Sequence, residues 1–378
     1  MSSEYDLFVV GGGPAGLAAA IAAARKGLRT AVADAAEPSI DKACGEGLMP
    51  DSVEALAALG VAVPADACHP FQGIRFLGCG VTADARFPTG AGQGVRRTVL
   101  HDLLAREAER AGVDLLWGAR VTGIDEAGVL LENGYRRARW IAGADGGNSS
   151  VRRWAELDAC RRDERRYGFR RHYRIAPWSD FMELYWGEEE QTEACQIYVT
   201  PVGREEVCVA LLSRNPQLRL DQALPMFPQL AERLQGVETS SQERGAVTAS
   251  RQLRRVASDR VALTGDASGS VDAITGEGLC LTFHQAAALA RCLVEAERGG
   301  SLKRYEAEHR RLRRRPALMA DMLLLMDQRA WLRRRALRAL SSRKNVFSNM
   351  LAMHVGALDP AAFAANVMAL SWGVLTQS

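Results

Sequence analysis

The chain lacks the roughly 18-residue apolar run that a bilayer-crossing helix needs, so no such span is expected. Its eight cysteines stand singly, without Cys-x-x-Cys or framework spacing. That excludes a disulfide-stapled fold and suits reduced thiols. No grouping of His, Cys and Asp shows metal-ligand spacing, so no metal is expected. Charge of one sign is scarce as well: the formal net charge of +3 is too small to imply nucleic acid. There is no internal repeat and no low-complexity tract. With 47% hydrophobic and 25% charged residues the composition is globular rather than disordered. The first apolar strand starts within six residues of Met1, which predicts no signal peptide and a cytoplasmic protein. Its 378 residues allow two or three domains.

What is present begins at once. Leu7-Phe8-Val9-Val10 runs into Gly11-x-Gly13-x-x-Gly16, with Pro14 and Ala15 between, and an Ala-rich helix follows from Leu17 to Arg25. The first glycine permits the tight turn, the second lets a pyrophosphate approach bare backbone, and the third lets helix pack on strand. The free N–H groups and positive end of the helix suit phosphate. A second strand, Arg29 to Ala33, ends at Asp34, about twenty residues on, where an acceptor for a ribose hydroxyl belongs. Strand, turn, helix, strand and acid together predict an ADP-containing dinucleotide.

After a turn-rich stretch comes Lys42-Ala43-Cys44-Gly45-Glu46-Gly47. Its small residues predict a loop running close against something flat. Asp51 can cap a helix over 52–59. Short β-like pieces between Pro64 and Gly94 read as an insertion away from a parallel sheet. Arg96-Arg97-Thr98 opens an amphipathic helix, Val99 to Ala111. Strands follow at 114–117, 121–124, 128–131 and 135–141. The last meets Gly143-Ala144-Asp145-Gly146-Gly147 and Ser149-Ser150-Val151-Arg152, a second strand–glycine–helix corner. Four runs, 167–175, 181–187, 194–200 and 206–212, predict an antiparallel meander, and a helix is expected over 221–234. A third corner, Gly265-Asp266-Ala267, follows a strand over 260–264. It leads to Thr275-Gly276-Glu277-Gly278 and a helix over 279–296. Beyond that, helices are expected over 302–315, 317–338 and, more weakly, 346–370.

In their order and spacing, the three corners resemble the flavoprotein superfamily that includes para-hydroxybenzoate hydroxylase, over about residues 4–300. The resemblance implies an α/β fold. A Rossmann-like FAD-binding domain of the glutathione-reductase type would take residues 1–67, 94–164 and 250–300. An antiparallel-sheet substrate domain would take 68–93 and 165–249, and a C-terminal helical segment 301–378. The Asp272 to Gly278 stretch and the Cys44-Gly45 pair are similar to the geranylgeranyl reductase and quinone-linked dehydrogenase branch. Tyr198 to Gly203 resembles a substrate-domain strand of those reductases without its tryptophan. The Trp-x-Trp-x-Ile-Pro signature of flavin-dependent halogenases is absent.

By this resemblance Gly11, Gly13, Pro14, Ala15, Gly16, Asp34, Lys42, Cys44, Gly45, Val121, Gly146, Gly265 and Asp266 bind FAD. Arg97 either meets its pyrophosphate or ribityl chain or makes a surface ion pair. Asp145 either joins the flavin site or only caps its turn. Gly276, Glu277 and Gly278, opening a helix, aim N–H groups and dipole at the ring and stabilise its reduced, anionic form. Cys44 either tunes the flavin or is a small hydrophobe, while His172 and His284 read as structural.

One dinucleotide fingerprint leaves no separate nicotinamide domain, so NAD(P)H is expected to bind briefly as reductant. The favoured function is a monooxygenase acting on a hydrophobic or aromatic small molecule, such as a polyketide-like metabolite. The alternatives are a geranylgeranyl-reductase-like or quinone-linked enzyme and a flavin-containing electron relay. From Ser301 to Lys344 there are fourteen Lys/Arg against four Asp/Glu. This basic segment either packs over the substrate domain with its arginines in water or docks on an anionic membrane or a carrier protein.

Overall fold

The computed structural model describes residues 4–187 and 195–358. A first sheet is built around Tyr5–Val10, which pairs in parallel with Thr30–Ala33 on one side and with Gly134–Gly143 on the other. Asp114–Leu116 extends it beyond Thr30–Ala33, and Val261–Leu263 lies parallel to the end of Gly134–Gly143. The first half of that long strand instead pairs antiparallel with Gly128–Leu131, which carries Val121–Ile124.

Register fixes where the glycine corners go. Val10 lies opposite both Ala33 and Gly143, and Gly143 lies opposite Leu263. Four strands therefore stop in one row, and Gly11, Asp34, Ala144 and Thr264 all step off the same edge. Ligands of open α/β sheets bind at such an edge. The helix Pro14–Ala24 packs between Arg97–Arg110 and Gly278–Glu297. An added Cβ on Gly16 would collide with the Gly11 carbonyl, so that contact demands glycine.

The second sheet has the order Arg244–Leu253, Cys160–Tyr173, Glu206–Ser213, Cys195–Gly203, Met182–Trp186, Gly73–Gly78, Val81–Arg86. Alternation along its strands sends Leu184, Trp186, Tyr198 and Leu212 to one core. Tyr185, Ile197, Val199 and Leu211 go to another. Helices Lys303–Gln328, Ala330–Ser342 and Lys344–His354 cover the first face, and the segment around Leu220, Leu230 and Leu234 covers the second. Both faces being buried explains why these strands read as nearly continuous apolar runs.

Several expectations change. The four predicted strands are not a simple meander, because after Tyr173 the chain crosses to Met182–Trp186 and returns strand by strand to pair with Cys160–Tyr173. Ala194 lies outside the described residues. Cys160–Tyr173 begins seven residues before the expected 167, through a charged stretch whose partner Arg244–Leu253 the sequence did not suggest. Arg251 and Asp163 pair across that ladder at 3.0 Å. The pieces between Pro64 and Gly94 do lie away from the first sheet: Gly73–Gly78 and Val81–Arg86 complete the second sheet through a parallel pairing with Met182–Trp186.

The helix expected over 221–234 is broken into Leu220–Ala223, a 3-10 turn and Pro228–Leu234. Pro225 and Pro228 remove the N–H groups a continuous helix needs. Pro316, expected to separate two helices, sits inside Lys303–Gln328, where the break falls at Arg329. Met49, not Asp51, is the cap residue of Pro50–Ala58. The last described helix is Lys344–His354; the expected continuation past residue 358 lies outside the described residues.

A buried charge group ties the second sheet to the C-terminal helices. Arg166 lies 3.0 Å from Asp272 and 3.4 Å from Asp327, and Gln196 donates to Asp327 at 2.6 Å. Removing one partner of such a group strands the other charges. Arg166→Met is expected to cost roughly 3–5 kcal/mol in denaturant unfolding, and an unchanged midpoint would contradict this role.

His309 of Lys303–Gln328 donates from Nε2 to Ser268 Oγ at 2.9 Å, clamping the third corner. Burial lowers its pKa from 6.5 to about 3, and that of His354 to about 4. Below about pH 6.5 the unfolded chain takes up protons that the folded chain refuses, so stability is lost as pH falls toward 4. The melting temperature should drop between pH 7 and 5. His309→Gln, which can still donate to Ser268, should show a shallower drop than the parent, and an equal slope would exclude His309 as a source.

Candidate active site

One cavity of about 640 Å³ runs from the row of strand ends across to the second sheet. Gly11, Gly13, Pro14, Ala15, Asp34, Lys42, Cys44, Gly45 and Arg97 line its first half, joined by Val121, Asp145, Gly146, Gly265 and Asp266. Gly276, Glu277 and Gly278 line it at the start of the helix Gly278–Glu297. Of the sequence-predicted site residues only Gly16 is not part of the wall; it packs beneath on Gly11.

Gly11 has a φ of +107°, and an added Cβ would lie 2.5 Å from the Ala144 carbonyl oxygen, so the first two corners touch. A Cβ on Gly13 would meet nothing within 4 Å, which leaves its backbone open to the cavity. Asp34 accepts from Gly12 N–H at 2.6 Å and from Ala36 N–H at 2.8 Å, holding the first turn. Burial keeps His101 neutral, and its Nε2 donates to the Gly12 carbonyl at 3.0 Å. Arg152 joins the second corner to the third, donating to Gly147 O at 2.9 Å and Ala267 O at 3.2 Å. Asp145 does cap its helix, through Ser150 N–H at 2.6 Å and Val151 N–H at 3.1 Å, yet its Oδ1 is buried without a partner.

At the third corner Asp266 pairs with Lys42 at 2.9 Å. Burial acts to raise its pKa, but the charges of Lys42 and Arg97 outweigh burial and hold the carboxyl below its ordinary value. Arg97 therefore faces the cavity beside Asp266 rather than a surface acid, and its Nε is buried with no hydrogen-bond partner.

The loop 42–47 is held from several sides. Glu46 is buried at a φ of +58°, a conformation that costs a non-glycine residue about 1–3 kcal/mol. Its carboxylate accepts from Arg97 N–H at 2.9 Å and lies 2.6 Å from His172 Nε2 and 3.8 Å from Arg170 Nε. Thr200 donates to Gly45 O at 2.7 Å, and the Cys208 thiol approaches Cys44 O at 3.7 Å. Cys44 itself is half-buried in the wall, its sulfur accepting from Glu46 N–H at 3.4 Å. His172 is thus a support for the loop, and Glu46 and Arg170 are site residues that sequence reasoning passed over. Their separation in the chain hid the link; the signal available was the charged residue between two glycines.

Glu277 sits with Oε1 3.6 Å from His354 Nδ1, and its Oε2 is buried and unpaired. Burial and then the Asp51 charge, opposed by Arg315, push its carboxyl well above the ordinary carboxylate range. Two groups of metal-ligand types do form in space, Glu46/His172/Cys208 and Asp51/Cys280/His284. In the second, the Cys280 thiol already donates to Asp51 at 3.1 Å.

A long cradle with unpaired Arg97 Nε and Asp145 Oδ1, bare backbone at Gly13 and two helix N-termini at Pro14 and Gly278 fits a dinucleotide with a ring system at one end. Fold and cradle together define a dinucleotide-binding oxidoreductase. The chain belongs to the family described as FAD binding domain, which matches residues 4–319. A menaquinone reductase of Mycolicibacterium smegmatis is 35% identical over 164 residues, 40% of each chain. That of Mycobacterium tuberculosis is 28% identical over 309 residues, 74% of each chain. A solved flavoprotein/dehydrogenase from Cytophaga hutchinsonii superposes with a TM-score of 0.81, covering 98% of both chains at 20% identity, a likeness of fold.

Replacing Arg97 by Met should weaken FAD binding roughly ten- to a hundredfold, the worth of a charge-assisted hydrogen bond. Quenching of flavin fluorescence on titrating the apoprotein measures this. Unchanged affinity in a folded variant would remove Arg97 from the cradle.

Proposed function

We propose that the protein is an FAD-dependent monooxygenase that hydroxylates a hydrophobic or aromatic small molecule, with NAD(P)H as its transient reductant. One observation carries this reading: the cavity does not end at the cradle. It continues without a partition along the second sheet, walled by Met182, Tyr198, Ala210, Leu212, Val271 and Pro316. Such a wall takes apolar surface out of water, worth about 25 cal/mol per Å² buried, with Arg170, Thr248 and Ser270 as polar members beside it.

Within this reading FAD, held by the three corners and Arg97, supplies the electron pair and the reaction with oxygen. The chain positions and shields. The Tyr198 hydroxyl donates a hydrogen bond to the Ile274 carbonyl at 2.9 Å, so toward the cavity the tyrosine offers its ring rather than a hydrogen-bond donor. That bond also fixes the second sheet to the loop before Gly276. Cys44, Gly45 and Glu46 form the side of the cavity where cradle and sheet meet, and burial disfavours a negative charge on Glu277 near the helix start. The overall balance is a substrate C–H, one O₂, one NAD(P)H and a proton giving C–OH, water and NAD(P)⁺.

A second reading, two-electron reduction of a quinone or an isoprenoid double bond, is favoured by the 309-residue match to the mycobacterial menaquinone reductase, which runs through three quarters of both chains. Turnover of an alkylated phenol and, in parallel, of an isoprenoid-substituted quinone, each under ¹⁸O₂ with NAD(P)H, separates the two. Label in the product with matching oxygen uptake supports hydroxylation. Product gaining two hydrogens without oxygen supports reduction and overturns the first reading.

A further inference from the structure

We propose that the outer face of the two long C-terminal helices binds the surface of an anionic lipid bilayer. Lys303–Gln328 and Ala330–Ser342 bury one side against the second sheet through Leu323, Leu324, Ala336, Leu337 and Leu340. Their other side is where large apolar groups meet water. Leu318 is 43% exposed, Leu325 46% and Trp331 53%, three of the six large hydrophobics left exposed among the described residues. Leu318 and Leu325 are seven residues apart and so share one helix face. Exposed apolar groups gathered on adjoining elements mark an interaction site.

The charge around them selects the partner. Arg310, Arg311 and Arg314 lie exposed within the turns before Leu318, Arg311 pairing with Glu308 at 2.9 Å, and Arg329 and Lys344 are exposed beyond Leu325. The one exposed acid between Arg310 and Lys344, Asp321, is paired with Arg162 at 2.8 Å. The guanidinium of Arg335 lies over the Trp331 ring, 5.9 Å from its centroid. Cations interleaved with leucine and tryptophan match a bilayer interface, where apolar groups enter the acyl boundary and arginines meet phosphate. Duplex nucleic acid would use the cations but give the two leucines nothing to enter.

The location adds a second argument. Pro316, buried on the same helix, lines the cavity while Leu318 faces out. The surface that would meet lipid is thus the outer side of a wall whose inner side faces the apolar pocket. This inference does not depend on whether the reaction is oxygenation or reduction, and its test reads binding alone.

The full-length, FAD-loaded protein is sedimented with vesicles of phosphatidylcholine with and without phosphatidylglycerol, at low and high salt. Binding is expected only with the anionic lipid and should weaken as salt rises. Arg310→Gln/Arg311→Gln/Arg314→Gln should weaken partitioning by on the order of a hundredfold at low salt. Leu325→Ser/Trp331→Ser should weaken it as well, with flavin content and melting temperature retained in both variants. If the double variant does not fold, Leu318→Ser alone tests the same apolar face. Absence of binding, equal binding to neutral vesicles, full binding by the apolar-face variant, or displacement from vesicles by duplex DNA would each overturn the proposal.

Discussion

The carboxylate of Glu46 is a buried point at which the two halves of the molecule are joined. It accepts from the backbone N–H of Arg97 in the helical layer of the first sheet and meets His172 and Arg170 from the second. A buried carboxylate is costly unless charge and hydrogen bonds surround it, and here both sheets must be in place to supply them. The left-handed backbone at Glu46 is held by the same contacts. The loop carrying Cys44 and Gly45 takes its course from this side chain together with Thr200 and Cys208, and with it the passage between cradle and apolar pocket.

The nucleotide half was legible because its signals are local. Glycine spacing, an Ala-rich helix and an acid at a strand end each follow from short-range sterics, and three such corners on one chain could be read in order. What made them one site was register, with Val10, Ala33, Gly143 and Leu263 in a row; periodicity gives strands but not their neighbours. The charged segment Cys160–Arg166 hid half of a long strand for the same reason. Its residues pair with Arg244–Leu253, about ninety positions away, and ion pairs rather than apolar alternation hold that end of the ladder.

Pro316 shows the opposite error. Proline breaks an isolated helix, but burial against a neighbouring layer can repay one missing hydrogen bond, and the helix continues to Gln328. Likewise three supports of the site, Glu46, Arg170 and His101, were individually ordinary in the sequence. Each acts on a backbone group or carboxylate far from it along the chain, and only the fold names the partner.

The long strand Gly134–Gly143 leads two lives, hairpin at its start and central parallel strand at its end. The parallel strands are gathered from residues as early as Tyr5 and as late as Leu263. As the chain leaves the ribosome, the hairpin can close as soon as its own residues emerge. The nucleotide cradle must wait until Val261–Leu263 and the corner after it have been made, and its opening glycine turn spends that interval without the strand that completes the row.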